Sequence, residues 1–247
     1  MDLLALAPSD LALLGAIAFA AGMVRGFAGF ALSAMVMAGA VLILPPRELI
    51  PICWILEMVA SLLMVRGGIA QADRRIALGL AITAAIGAPI GLWLTTRLPV
   101  EDTRLLALVV LMGLALLQLA RVRLPFLATN AGLYGAGILA GVATGIASIG
   151  GMVVALYVLA QNSPARVMRA SLVLYLFVSS IFTLLWQLGY GLFDLTAVAR
   201  GLTLIVPVAL GVLIGKWLFR PALEPFYKPF ALCLLLALAG LSLIRML

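Results

Sequence analysis

The chain is 247 residues long, 66% hydrophobic and only 10% charged, with a mean hydropathy of +1.27, whereas a soluble domain carries about 25% charged residues. This is the composition of an all-α integral membrane protein, and it leaves no stretch for an extramembrane domain that could house a soluble active site. The net charge of +7 comes from basic residues scattered singly at the ends of apolar runs, which argues against a nucleic-acid partner and for a chain oriented in a lipid bilayer.

Apolar runs bounded by Pro, Gly and charge divide the chain into ten segments: 11–24, 29–44, 49–65, 76–96, 104–120, 130–146, 149–161, 166–189, 195–218 and 229–246. The runs 11–24, 29–44 and 149–161 fall short of the ~20 residues a full span needs, so each either crosses the bilayer or enters it as a re-entrant half-helix. Asp2 and Asp10 precede the first run without a positive n-region, so a cleaved signal peptide is not expected. Cys53 and Cys233 lie in apolar segments and read as small buried hydrophobes, not as a disulfide or a metal site.

The end of the first run reads Ala21-Gly22-Met23-Val24-Arg25-Gly26-Phe27-Ala28-Gly29-Phe30, and the end of the sixth reads Ala140-Gly141-Val142-Ala143-Thr144-Gly145-Ile146-Ala147-Ser148-Ile149-Gly150-Gly151. Gly22 and Gly141 are 119 residues apart, as are Gly26 and Gly145. Pro46 and Pro164, like Ser61 and Ser179, are 118 apart, and Gly91-Leu92-Trp93-Leu94 resembles Gly215-Lys216-Trp217-Leu218 at 124; Asn162-Ser163 adds a capping signal ahead of Pro164. These offsets divide the chain into two five-segment repeats, 1–124 and 125–247. An odd number of segments per repeat inverts the second relative to the first, an architecture of secondary transporters in which interrupted helices mark a binding site near the midplane. Loops after the third, fifth, seventh and ninth segments hold ten Lys and Arg residues against five on the other side, with Arg25 left out, which places both termini outside.

The chain has no histidine, no cysteine pair at ligand spacing and no cluster of intramembrane acids, so a metal, a cofactor and enzymatic catalysis are not expected. Arg25 is the cation best placed to hold an anion, helped by backbone N–H groups where helices restart near Gly29 and Gly150-Gly151. Its alternative role is a surface anchor. Glu57, the one acid deep in a segment, either pairs with Arg25 or takes up a proton during transport, and its counterpart 118 residues on is Tyr175. Thr144, Ser148 and Ser171 are candidate hydrogen-bond donors to substrate oxygens, although Ser and Thr also join membrane helices. Gly26, Gly29, Gly145, Gly150 and Gly151 cluster at the two breaks, while Gly22, Gly87, Gly91, Gly137, Gly141, Gly211 and Gly215 also carry the spacing of close helix packing. Because the matching positions carry Arg25 in one half and Thr144 in the other, the anion is expected off-centre, nearer the first repeat.

The two glycine motifs, together with Arg169-Ala170-Ser171-Leu172 at the start of the eighth segment, resemble the TauE/SafE family of membrane permeases, over essentially the full length. The resemblance implies outward movement of small sulfur-containing anions such as sulfite or organosulfonates across a bacterial inner membrane, and Glu57, from its own place in an apolar segment, makes protons a candidate coupling ion. Uptake of a small carboxylate or sulfur anion is the alternative, and a non-transporting scaffold of unspecified oligomeric state is a third reading from another class.

Overall fold

The computed structural model describes residues 4–65, 70–120, 129–161, 164–218 and 224–246. Arg66, Arg121, Arg123, Arg220, the Asn162-Ser163 pair and the boundary at 124/125 lie outside the described residues. Within them the regular structure is entirely helical: α1 (Pro8–Ala28), α2 (Leu32–Ala40), α3 (Pro46–Val65), α4 (Arg74–Arg97), α5 (Val100–Leu119), α6 (Asn130–Ala147), α7 (Gly150–Ala160), α8 (Ala165–Gly189), α9 (Leu195–Thr203), α10 (Ile205–Leu218) and α11 (Glu224–Met246).

Local chemistry sets several helix ends. Asp73, Thr129 and Asp194 each accept the backbone N–H three residues on, satisfying a donor that the first turn leaves free. The ninth expected segment is two helices, α9 and α10, bent by 41° at Leu204. Pro207, the third residue of α10, has no N–H to give the Thr203 carbonyl and its ring crowds that group, so the helix cannot run straight through.

The two breaks lie later than the glycines suggest. α1 runs on through Gly22, Arg25 and Gly26 and ends at Gly29, whose φ of +83° closes the helix with its N–H on the Arg25 carbonyl at 2.9 Å. α6 likewise continues through Gly141 and Gly145 and ends at Ser148, with φ +58° and its N–H on the Thr144 carbonyl at 2.8 Å. Both ends use left-handed backbone, which glycine takes without strain and a residue with a Cβ does not. The helices that follow, α2 and α7, have 9 and 11 residues, so they extend about 14 and 17 Å, roughly half of a bilayer's hydrocarbon core.

The glycines inside α1 and α6 hold helices in backbone contact. α1 packs on α10 and α6 on α4, and these are the two most extensive helix pairs in the fold. A methyl placed on Gly26 would overlap the Val212 carbonyl, and one on Gly215 would overlap the Met23 carbonyl. In the other pair, a methyl on Gly145 would overlap the Ala88 carbonyl and one on Gly91 the Val142 carbonyl. Every partner in the second set lies at the 119 or 124 offset from its counterpart in the first. The two contacts are therefore the same contact made twice, with the halves exchanged.

Outside this core, large apolar side chains face outward, as with Ile82, Ile86, Ile90 and Trp93 along one face of α4. Cys53 is buried, whereas Cys233 sits on the exposed face of α11. Among the described residues, five helices are long and apolar enough to cross a membrane, or six spans with α9 and α10 counted as one bent span. The chain is a multi-pass membrane protein.

Because backbone cannot yield as a side chain can, Gly145→Ala should lower the unfolding temperature of the detergent-solubilised protein, at a cost of roughly 1–3 kcal/mol. Gly113→Ala, where the added carbon meets nothing within 4 Å, should leave it unchanged or raise it slightly. Equal melting temperatures for the two variants would refute the packing role.

Candidate functional site

At the first break, Arg25 in the last turn of α1 is fully buried, and Glu57 of α3 stands against it with Arg25 Nε 3.1 Å from Glu57 Oε2. The remaining guanidinium nitrogens donate to Ser61 Oγ at 3.2 Å and to the Gly29 carbonyl. The other carboxylate oxygen, Glu57 Oε1, accepts from the Ser33 hydroxyl at 3.0 Å and the Ser33 backbone N–H at 3.3 Å. Ser33 is the second residue of α2, whose N-cap Ala31 offers no side-chain acceptor. Glu57 therefore caps α2 from a neighbouring helix, and the cation lies at the C-terminal end of α1 while the anion lies at the N-terminal end of α2, the arrangement both helix dipoles favour.

The second break repeats the plan with neutral groups. Thr144 stands where Arg25 does, Ser148 where Gly29 does, Tyr175 where Glu57 does and Ser179 where Ser61 does. Tyr175 is 1% exposed, and its hydroxyl lies beside Thr144 and Ser179 without a hydrogen bond of normal geometry to either. The hydroxyl of Thr144 donates instead to the Ala140 carbonyl at 2.8 Å.

A cavity of about 30 Å³ lies between the halves, room for roughly two water molecules. Ser33, Trp54 and Glu57 line it from the first half, and Thr144, Ser148, Gly151 and one face of α8 from the second. The wall of this cavity is mostly second-half, whereas the sequence reading puts the anion nearer the first repeat. Trp54 fastens the two halves at its edge, donating its indole N–H to the Ser180 carbonyl at 2.7 Å and meeting Phe193 edge-on at 5.4 Å.

Of the residues singled out from sequence, Glu57, Thr144, Ser148, Gly151 and Tyr175 reach this cavity. Arg25 lies behind Glu57 and does not line it. Gly26 and Gly145 face α10 and α4, and Gly150 packs on Thr144 and the Ala140 carbonyl. Gly29 shapes the first break and is covered by the stem of Arg169, whose guanidinium donates to the Gly26 carbonyl. Ser171 accepts the Asp73 backbone N–H at 2.9 Å, tying α8 to the cap of α4. Arg169 thus reaches from the second half to the break of the first.

Sequence reading missed the polar face of α8. Tyr175, Ser179, Thr183 and Gln187 recur every fourth residue and line the cavity together with Ser180, a spacing that places side chains above one another on one helix face. Gln187 is wholly buried, and neither its Nε2 nor its Oε1 has a partner among the described residues. The signal was present as a four-residue polar period in an otherwise apolar run. No group of three or more His, Cys, Asp and Glu among the described residues is placed to hold a metal ion.

The cavity thus brings together hydroxyls, one amide, the start of α7 and the Glu57 side of the buried ion pair. The sequence model of the sulfite exporter TauE/SafE family matches residues 14–242, nearly the whole chain. The chain belongs to the TauE/SafE sulfite exporter family. No curated protein and no solved structure matches it. Membership places this TauE/SafE protein in a transporter family.

Removing one member of a buried ion pair strands the other, at a cost of about 3–5 kcal/mol. Arg25→Ala should therefore lower the melting temperature of this TauE/SafE protein far more than the double substitution Arg25→Met with Glu57→Leu. Thermal unfolding of both in detergent checks this, and a double variant no more stable than the single one would show that the charges are not energetically coupled.

Proposed function

We propose that the protein is a secondary transporter that exports small sulfur-containing anions, such as sulfite or organosulfonates, across a bacterial inner membrane. The observation that carries this reading is the polar cavity between the halves of a TauE/SafE chain, walled by both breaks and by the α8 stripe. The matched glycine contacts of α1 with α10 and of α6 with α4 support two inverted repeats, 1–124 and 125–247, and the Lys/Arg balance of the loops favours both termini outside. The short α2 and α7 are re-entrant half-helices in this reading, and the substrate sits between them.

In transport, the two glycine-packed helix pairs move as rigid units and the cavity between them opens alternately to either side. The hydroxyls along α8 replace part of the water that a small oxyanion gives up on entry. Glu57 is the proton-coupling group. It faces the cavity on one side and Arg25 on the other, so protonation would release the guanidinium and uncap α2 together.

Proteoliposomes loaded with sulfite and carrying the purified protein should release it faster than empty liposomes, and an imposed pH gradient should change the rate. Glu57→Gln should retain exchange but lose most of that pH dependence. Absence of sulfite or organosulfonate flux in either direction would remove the transport reading, and a normal pH response in Glu57→Gln would remove the coupling role.

A further inference from the structure

The two breaks are built alike but filled differently, and the difference locates the substrate. Counting 118 residues on from Ser33 and Glu57 gives Gly151 and Tyr175. Ser33 and Gly151 are each the second residue of a helix that restarts after a break, α2 and α7, and both line the cavity. At α2 the Ser33 N–H is taken by the Glu57 carboxylate, so the protein carries its own anion there. At α7 the matching group is Tyr175, which brings a hydroxyl and no charge.

We propose that the transported anion binds at the N-terminus of α7, in the place that Glu57 fills at α2, held by the Gly151 N–H and the Tyr175 hydroxyl, and that it is a singly charged oxyanion. This rests on the reading that the cavity binds a small anion, and it names the half and the charge class. First-turn N–H groups of a helix have no intrahelical acceptor, and with the helix dipole they favour an anion at that end. The independent observation is Tyr175 itself. It is 1% exposed, it lines the same cavity as Gly151, and its Oη has no hydrogen-bond partner among the described residues. A buried hydroxyl without a partner is costly unless a ligand or water completes it.

The charge class follows from what surrounds the position. Of the lining residues, Thr144, Ser148, Ser179 and Gln187 are neutral and Glu57 is an acid paired with Arg25; Arg25 lies behind Glu57, and Arg169 at the first break donates to the Gly26 carbonyl and does not line the cavity. Neutral donors and a helix end compensate one buried charge. A second charge would require a counter-ion that this wall does not supply. A sulfonate or a hydrogensulfite fits, and a dianion such as sulfate does not.

Isothermal titration of the full-length purified protein in detergent, with methanesulfonate as the monoanion and sulfate as the dianion, tests the proposal. The wild type should bind methanesulfonate and discriminate against sulfate. Tyr175→Phe keeps shape and loses the donor, and should weaken methanesulfonate roughly ten- to a hundredfold, the range for a hydrogen bond to a charged group. Tyr175→Glu should put a carboxylate where the anion binds and abolish methanesulfonate binding, and it should melt lower than wild type because this half carries Thr144 and no counterpart of Arg25. Wild-type binding with unchanged affinity in Tyr175→Phe, or tighter binding of sulfate than of methanesulfonate, would overturn the proposal while leaving anion transport standing. A wild type that binds neither these anions nor sulfite would instead overturn the reading on which it rests.

Discussion

The first half of this protein depends on one buried ion pair. Taking the charges of Arg25 and Glu57 out of water costs more than their mutual attraction alone returns. They are tolerated because each also answers a helix end: the guanidinium holds the Gly29 carbonyl beyond the end of α1, and the carboxylate holds the Ser33 N–H at the start of α2. Without that pair, α2 would begin at Ala31, a residue in left-handed backbone whose side chain caps nothing. The pair is thus the device by which a helix can stop, turn and restart inside an apolar core.

The second half keeps the geometry and discards the charge. Thr144, Tyr175 and Ser179 occupy the stations of Arg25, Glu57 and Ser61. Duplicated scaffolds can diverge this way because the helix contacts depend on glycines, which touch backbone, while the stations at the breaks depend on side chains. One half can then retain an internal ion pair while the other presents neutral polar groups to the cavity.

Much of the fold was legible in the sequence. Composition alone places the chain in the bilayer, and the spacing of Gly22, Gly26, Gly141 and Gly145 announces the close helix packing. What the glycines did not reveal was where the helices stop. Glycine spacing reports backbone approach between helices as readily as a break, so Gly26 and Gly145 were drawn into the break although they lie inside α1 and α6. The bend at Leu204 was missed because a long apolar run hides a kink, with Pro207 its one sign. The α8 stripe was overlooked for a related reason: Ser and Thr in membrane helices so often serve packing that their four-residue period carried little weight until Gln187 was seen buried without a partner.

Sequence by itself determined that the protein lives in the membrane, that glycines recur at an offset of 119 residues, and that hydroxyls stand 118 and 119 residues on from a charged pair. These are properties of composition and of spacing along the chain, which survive without knowledge of the fold. Only the tertiary structure decided that Arg25 spends its charge on Glu57 and that Tyr175 faces the cavity unpartnered beside the start of α7. Those outcomes turn on distances between helices far apart in sequence, where an ångström or two separates a satisfied group from an orphaned one.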